Sequence, residues 1–256
     1  MKHHMTVISD RKMAFMWCVP PCRHHQLPVN QLTIQSISVA SRESVCDLGL
    51  YMDSDMSMHK HVTQLVCLCY GVFRQFRSIC CSLPRTALTT LVSSFTMSKV
   101  DYCNVVLAGL PQRELDHVQS VVNMAARLSA DARKYDHITP LLRDLHWLRV
   151  PERVKFKLCV LMHHCLTGVA PRYLTELAVP VPGVPSTARR RLHSVLSADL
   201  VMPFTRRSTI GDRSFTVAGP RAWNSLPSDI RTSTSSFNTF KKHLKSYLFQ
   251  LSFSSL

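Results

Sequence analysis

The spacing of apolar residues changes near residue 58 of this chain. Before it they form short segments of β character: Phe15 to Val19, Leu32-Thr-Ile34, Ile37-Ser-Val39, and Val45 to Tyr51 ahead of an acidic turn. Pro20-Pro21 bars a helix between the first two. From His59 to Cys81 the residues Val62, Leu65, Val66, Cys69, Phe73, Phe76 and Cys80 recur every three or four positions, which is a helical stripe. At ~1.5 Å per residue that stripe predicts a rod of roughly 35 Å. A second stripe, Leu88, Leu91, Val92 and Phe95, follows Pro84, and a third, Leu115, Val118, Val121, Val122, Ala125 and Leu128, is entered after Pro111.

A fourth helix is predicted from Pro151, with Val154, Leu158, Leu161 and Cys165 on its apolar face and Gly168 and Pro171 ending it. The Pro-rich and then basic run VPVPGVPSTARRR, Val179 to Arg191, reads as a linker or exposed loop. Beyond it, Phe215 and Val217 alternate with polar residues as a short strand, Gly219-Pro220 turns the chain, and Trp223 is a large apolar anchor. In the last helix Ser235 or Ser236 serves as cap, and Phe237, Phe240, Leu244, Tyr247, Leu248 and Leu251 form one face. Lys241, Lys242 and Lys245 lie away from that face. The expected fold class is mainly α (α+β): a helical bundle with a short N-terminal β portion and a small C-terminal strand-plus-helix segment.

Composition narrows the partners. Lys and Arg number 31 against 16 Asp and Glu, for a formal net charge of +15, although only 18% of residues are charged. A polyanion is the natural partner of such a chain. No stretch approaches the ~20 uncharged apolar residues of a spanning helix. The best candidate, Val154 to Ala170, carries Lys155, Lys157, His163 and His164, and reads as a core helix with no membrane role. The start, MKHHMTVISDRKM, has no apolar run of signal-peptide length, so the expected location is intracellular, cytoplasmic or nuclear. The ten Cys are then expected as thiols, most of them buried as small hydrophobes.

Candidate chemistry is sparse. Cys18-x3-Cys22-x-His24-His25 offers soft and imidazole ligands, but its pairs are too close to wrap a tetrahedron and Pro20-Pro21 stiffens the loop. An ordinary loop is the better reading. His163-His164 and His146-Trp147 lack a nucleophile or carboxylate at a telling spacing, so core or surface histidines are expected. Asp53-Ser-Asp55 precedes a helix, and capping is preferred over cation binding. No catalytic residue, metal ligand or cofactor is assigned. The basic residues carry more weight as a set: Lys12, Arg74, Arg77, Arg127, Arg133, Lys134 and Arg189-Arg190-Arg191 are candidates to neutralise phosphates along a groove. A solvated surface is the competing reading of any one of them.

Several ordered blocks go beyond composition. LGLYMDSDMSMHKHV (Leu48 to Val62), VDYCNVVLAGLP (Val100 to Pro111), HITPLLRDLHWLRVPERVKFKL (His137 to Leu158), APRYL (Ala170 to Leu174), GDRSFTVAGPRAWNSLPSDIR (Gly211 to Arg231) and FKKHLKSYLF (Phe240 to Phe249) resemble, in order and spacing, non-LTR retrotransposon reverse transcriptases of the chicken-repeat type. The resemblance runs from about Asp10 to Phe249. It implies that residues 1–57 are the last strands of the polymerase palm, 58–178 the helical thumb, 179–205 a basic Pro-rich linker, and 206–256 a C-terminal segment ending in an amphipathic helix.

In that family two metal ions are bound by aspartates, one pair of them in a Tyr/Phe-Ala-Asp-Asp turn. No two aspartates are adjacent here, so magnesium is expected only in an intact family member and this chain is expected not to be an enzyme. The family's Lys-Thr-Glu segment resembles Lys12-Met13-Ala14, where the lysine is kept and the other two residues depart. The resemblance implies a truncated RNA-directed DNA polymerase fragment whose thumb holds RNA or DNA nonspecifically, chiefly by its backbone. A protein-interaction module and a non-functional remnant of a transposable element are the alternatives. Palm strands stripped of neighbours also leave open edges suited to self-association.

Overall fold

The computed structural model describes residues 3–9, 12–18, 31–34, 37–181, 199–205, 210–232 and 236–253. Helix dominates, as the fold class expected from sequence requires. The chain forms two compact units, Met1–Arg74 and Gln75–Leu256, which divide inside the first helix, α1 (His59–Ile79).

The first unit contains three antiparallel hairpins among its described residues: β1 (His3–Ser9) with β2 (Lys12–Cys18), β3 (Gln31–Ile34) with β4 (Ile37–Ala40), and β5 (Ser44–Asp47) with β6 (Leu50–Asp53). The run Val45 to Tyr51 is thus two strands, folded at Leu48 and Gly49, which take φ of 47° and 81°. Positive φ at both central residues is the type I′ requirement of a two-residue hairpin. Met16, Val45 and Met52 make a small core beneath Cys18 and Leu50.

The acidic turn has a structural job. An Asp53 carboxylate oxygen accepts the Lys60 amide at 3.1 Å and the Ser57 hydroxyl at 3.0 Å, and Asp55 accepts the Ser57 amide at 2.9 Å. These carboxylates satisfy donors at the start of α1, where the helix dipole favours negative charge.

The second unit is helical. α2 (Arg85–Val100) packs on α3 (Gln112–Ala130), and α3 also meets α4 (Ile138–Asp144). α5 (Val150–Leu166) is central, touching α3, α6 (Arg172–Thr175), α7 (Phe215–Asn224) and α9 (Phe237–Phe253). α8 (Ser228–Arg231) leads into α9. The stripes on α1, α3 and α5 supply buried residues such as Val62, Cys69, Val118, Val122, Val154 and Leu158. Gly168, with φ of 71°, closes α5 through the Gly168 amide to Cys165 O and the Val169 amide to His164 O, a Schellman pattern. Leu91 and Leu251, placed on apolar faces by periodicity, are instead exposed.

The C-terminal strand is corrected to a helix. Phe215 and Val217 belong to α7, and Gly219-Pro220 lies inside it. Val217, Ala218, Ala222 and Trp223 are buried, a helical spacing that outweighs a two-residue alternation. Pro220 removes one intrahelical bond, and Gly219 is there because α5 comes close: a Cβ would lie 2.6 Å from Met162 Sδ. The segment expected as a linker lies partly outside the described residues, but its flanks are pinned. The Val181 amide donates to Asp199 O, the Val201 amide to Val179 O, and Asn224 brackets Leu200 through both amide atoms at 2.8 and 2.9 Å.

The cysteines also depart from expectation. Of the nine described, all free thiols, only Cys69, Cys159 and Cys165 are buried. Burial pushes the Cys159 thiol up to about 12, which leaves it uncharged and unreactive. No helix of the described residues is long and apolar enough to cross a membrane.

Candidate nucleic-acid interface

Four of the basic residues singled out from sequence come together where α1 and α3 end. Arg77, in the last turn of α1, reaches α3 and places Nη2 3.2 Å from Met124 Sδ. Arg127 follows Met124 by three positions, so both lie on one side of α3. Its guanidinium donates to Asp136 O at 3.4 Å, drawing the loop after α3 back over the helix end.

That loop begins at Asp131, which takes a left-handed φ of 52° so that the Ala132 amide reaches Arg127 O. It is then tightened by the Arg133 amide, 2.6 Å from Asp136 Oδ2. Arg133 and Lys134 are consequently held at the surface beside Arg127. Arg85, at the start of α2, pairs with Asp131 at 3.6 Å and adds a fifth cation that the sequence reading did not single out. Cations suit this place structurally, because helix C-termini carry partial negative charge. Five cations against Asp131 and Asp136 exceed that need and leave a positive surface.

Tyr135 was also missed. It is 88% exposed, with Lys134 Nζ 5.7 Å from the ring centroid. An exposed aromatic ring amid cations is a platform on which an unpaired base can stack. The sequence cue is Arg133-Lys134-Tyr135, an aromatic residue directly after two cations. Nearby, the Cys80 thiol is raised above its ordinary value, chiefly by its hydrogen bond with Cys81 and then by desolvation.

The remaining candidates lie elsewhere. Arg74 is an exposed residue of α1 in the first unit, Lys12 stands opposite Ser9 in the β1–β2 hairpin, and Arg189, Arg190 and Arg191 lie outside the described residues. Cys22, His24 and His25 lie outside them too, and no cluster of three metal-ligating side chains occurs among the described residues. The histidine pair is aromatic packing. His163 stacks on Phe240 with centroids 4.3 Å apart, and His164 lies 4.4 Å from Phe237. Compared with protein-family models, with curated proteins and with solved structures, the chain matches none.

Proposed function

We propose that the chain is a nucleic-acid-binding fragment of reverse-transcriptase type, with a thumb-like helical unit and without polymerase chemistry of its own. The observation that carries this reading is the convergence of Arg77, Arg127, Arg133 and Lys134, with the exposed Tyr135, at one end of the second unit. Arginine and lysine side chains on two helix ends and a loop meet phosphates along a backbone, and such contacts carry little sequence information. RNA and DNA are therefore both partners. Polymerase chemistry by two metal ions needs clustered carboxylates, and the sequence has no adjacent aspartates.

The test is fluorescence anisotropy of a labelled duplex with the full chain at 50 mM salt, run beside primer extension with deoxynucleotides and magnesium. Binding without extension supports the reading. Absence of binding, or synthesis of product, contradicts it. A second reading, self-association, draws on the small two-stranded sheets described in the first unit, since strand edges invite pairing with another chain. A monodisperse monomer in light scattering excludes it.

A further inference from the structure

A second candidate site lies in the same unit and uses none of the residues of the basic end. It is a cavity of about 520 Å³, inside the range of roughly 300–1,000 Å³ typical of small-molecule pockets. Three stretches far apart in sequence build it: the end of α2 with the turn after it, the α4–α5 connection with the first turns of α5, and the middle of α9.

Its buried wall is apolar. Trp147 and Leu148 are buried, with Met97 and Phe156 half-buried beside them. His146 fixes this wall by closing α4 at a left-handed φ of 53°, with its amide on Arg143 O at 3.0 Å and the Trp147 amide on Leu142 O at 2.9 Å. One tight helix end therefore delivers an imidazole, an indole and a leucine to the same cavity.

The polar groups divide by depth. Arg153 is already committed, to both oxygens of Asp101 and to Leu148 O, so its charge is answered within the wall. Asn104, 3% exposed, donates to Asp101 at 3.5 Å, while its Oδ1 has no hydrogen-bond partner among the described residues. That oxygen is sealed from solvent, so Asn104 belongs to the fixed wall behind Asp101. At the open side stand Lys157 of α5, Lys245 of α9 and His146, all exposed, and Asp101 is the only carboxylate lining the cavity among the described residues. Both lysines are thus uncompensated there.

We propose that this cavity binds a nucleoside monophosphate. A planar base fits against Trp147 and Phe156, and the phosphate lies between Lys157 and Lys245. Neither inorganic phosphate nor an uncharged nucleoside satisfies both ends of the cavity.

Isothermal titration of the full chain with adenosine monophosphate tests this, with adenosine and inorganic phosphate as separate titrants. Saturable binding of the nucleotide is expected, with each part alone about tenfold weaker or more. Lys157→Glu with Lys245→Glu, both at exposed positions, is expected to weaken the nucleotide about tenfold or more while the far-ultraviolet dichroism is unchanged. No binding at millimolar nucleotide, or equal affinity in the charge-reversed variant, overturns the proposal. Duplex binding read on the same samples separates the two sites, since loss of one without the other identifies which assignment failed.

Discussion

Arg153 reaches from α5 to Asp101, at the end of α2, and holds both carboxylate oxygens through one Nη, at 3.0 and 2.9 Å. Its Nε donates to Leu148 O at 2.9 Å, so one guanidinium ties α2, α5 and the turn after α4 together. Arg153 is mostly covered while Asp101 is partly exposed. Replacing Asp101 by Asn leaves the guanidinium without its counter-charge. Asp101→Asn is expected to lower unfolding free energy by about 1–3 kcal/mol, the range for a charged hydrogen bond in a covered site. Urea denaturation checks it, and an unchanged midpoint contradicts it.

Gly219 sits where α7 crosses α5 most closely. An added Cβ meets Met162 Sδ at 2.6 Å and Cγ at 3.3 Å, and Met162 is fully buried. Gly219→Ala normally favours a helix, but here overpacking prevails and a loss of about 1–3 kcal/mol is expected. Combining it with Met162→Ala is expected to give a double-mutant coupling of the relieving sign. Additive losses by denaturation contradict the close approach.

Burial lowers the proton affinity of His61 and of His163, an effect on His163 reinforced by His164 and on His61 partly offset by Asp53. Each group therefore binds a proton more readily in the unfolded chain. Their contribution to stability is complete above the ordinary histidine value of about 6.5 and is lost as pH falls through it toward the lower folded values. Thermal unfolding between neutral and mildly acid pH is expected to shift downward on acidification. His163→Leu is expected to flatten that dependence, and an equally steep profile in the variant contradicts the assignment.

Tyr135 contributes nothing to the core at its exposure, so its removal separates binding from folding. Tyr135→Ala is expected to leave the melting temperature in place and to weaken single-stranded RNA or DNA by about 1–3 kcal/mol, the value of one base stacked on an aromatic ring. Duplex affinity is expected to change less. Anisotropy with both probes checks this, and equal losses on both contradict base stacking.

The sequence carried the helices best where burial is one-sided and long. Val62, Leu65, Cys69 and Phe73 on α1, and Val118, Val121, Val122 and Ala125 on α3, are buried as their spacing predicts. It failed where a few residues had to decide. Phe215 and Val217 alternate over only three positions, and Gly219-Pro220 reads locally as a turn, but packing on α5 makes both part of a helix.

Leu251 points outward because Ser252 is buried in its place, its hydroxyl satisfied by Leu248 O at 2.9 Å. The helix α4 is too short for a period to show, yet its closure at His146 shapes the cavity. Basic residues were visible as a set, but which of them meet depended on where α1 and α3 end. Arg77 joined Arg127, Arg133 and Lys134, whereas Arg74, three residues earlier, falls in the other unit.

The salt dependence of duplex binding measures phosphate contacts directly, because each contact releases counterions in proportion to charge neutralised. The decisive comparison sets the chain beside a variant carrying Arg77→Gln, Arg133→Gln and Lys134→Gln. If these side chains grip the backbone, the slope of log affinity against log salt falls in magnitude by ~0.9 for each contact removed, with folding retained. Parallel salt plots of equal affinity for parent and variant contradict a nucleic-acid interface at this end of the molecule.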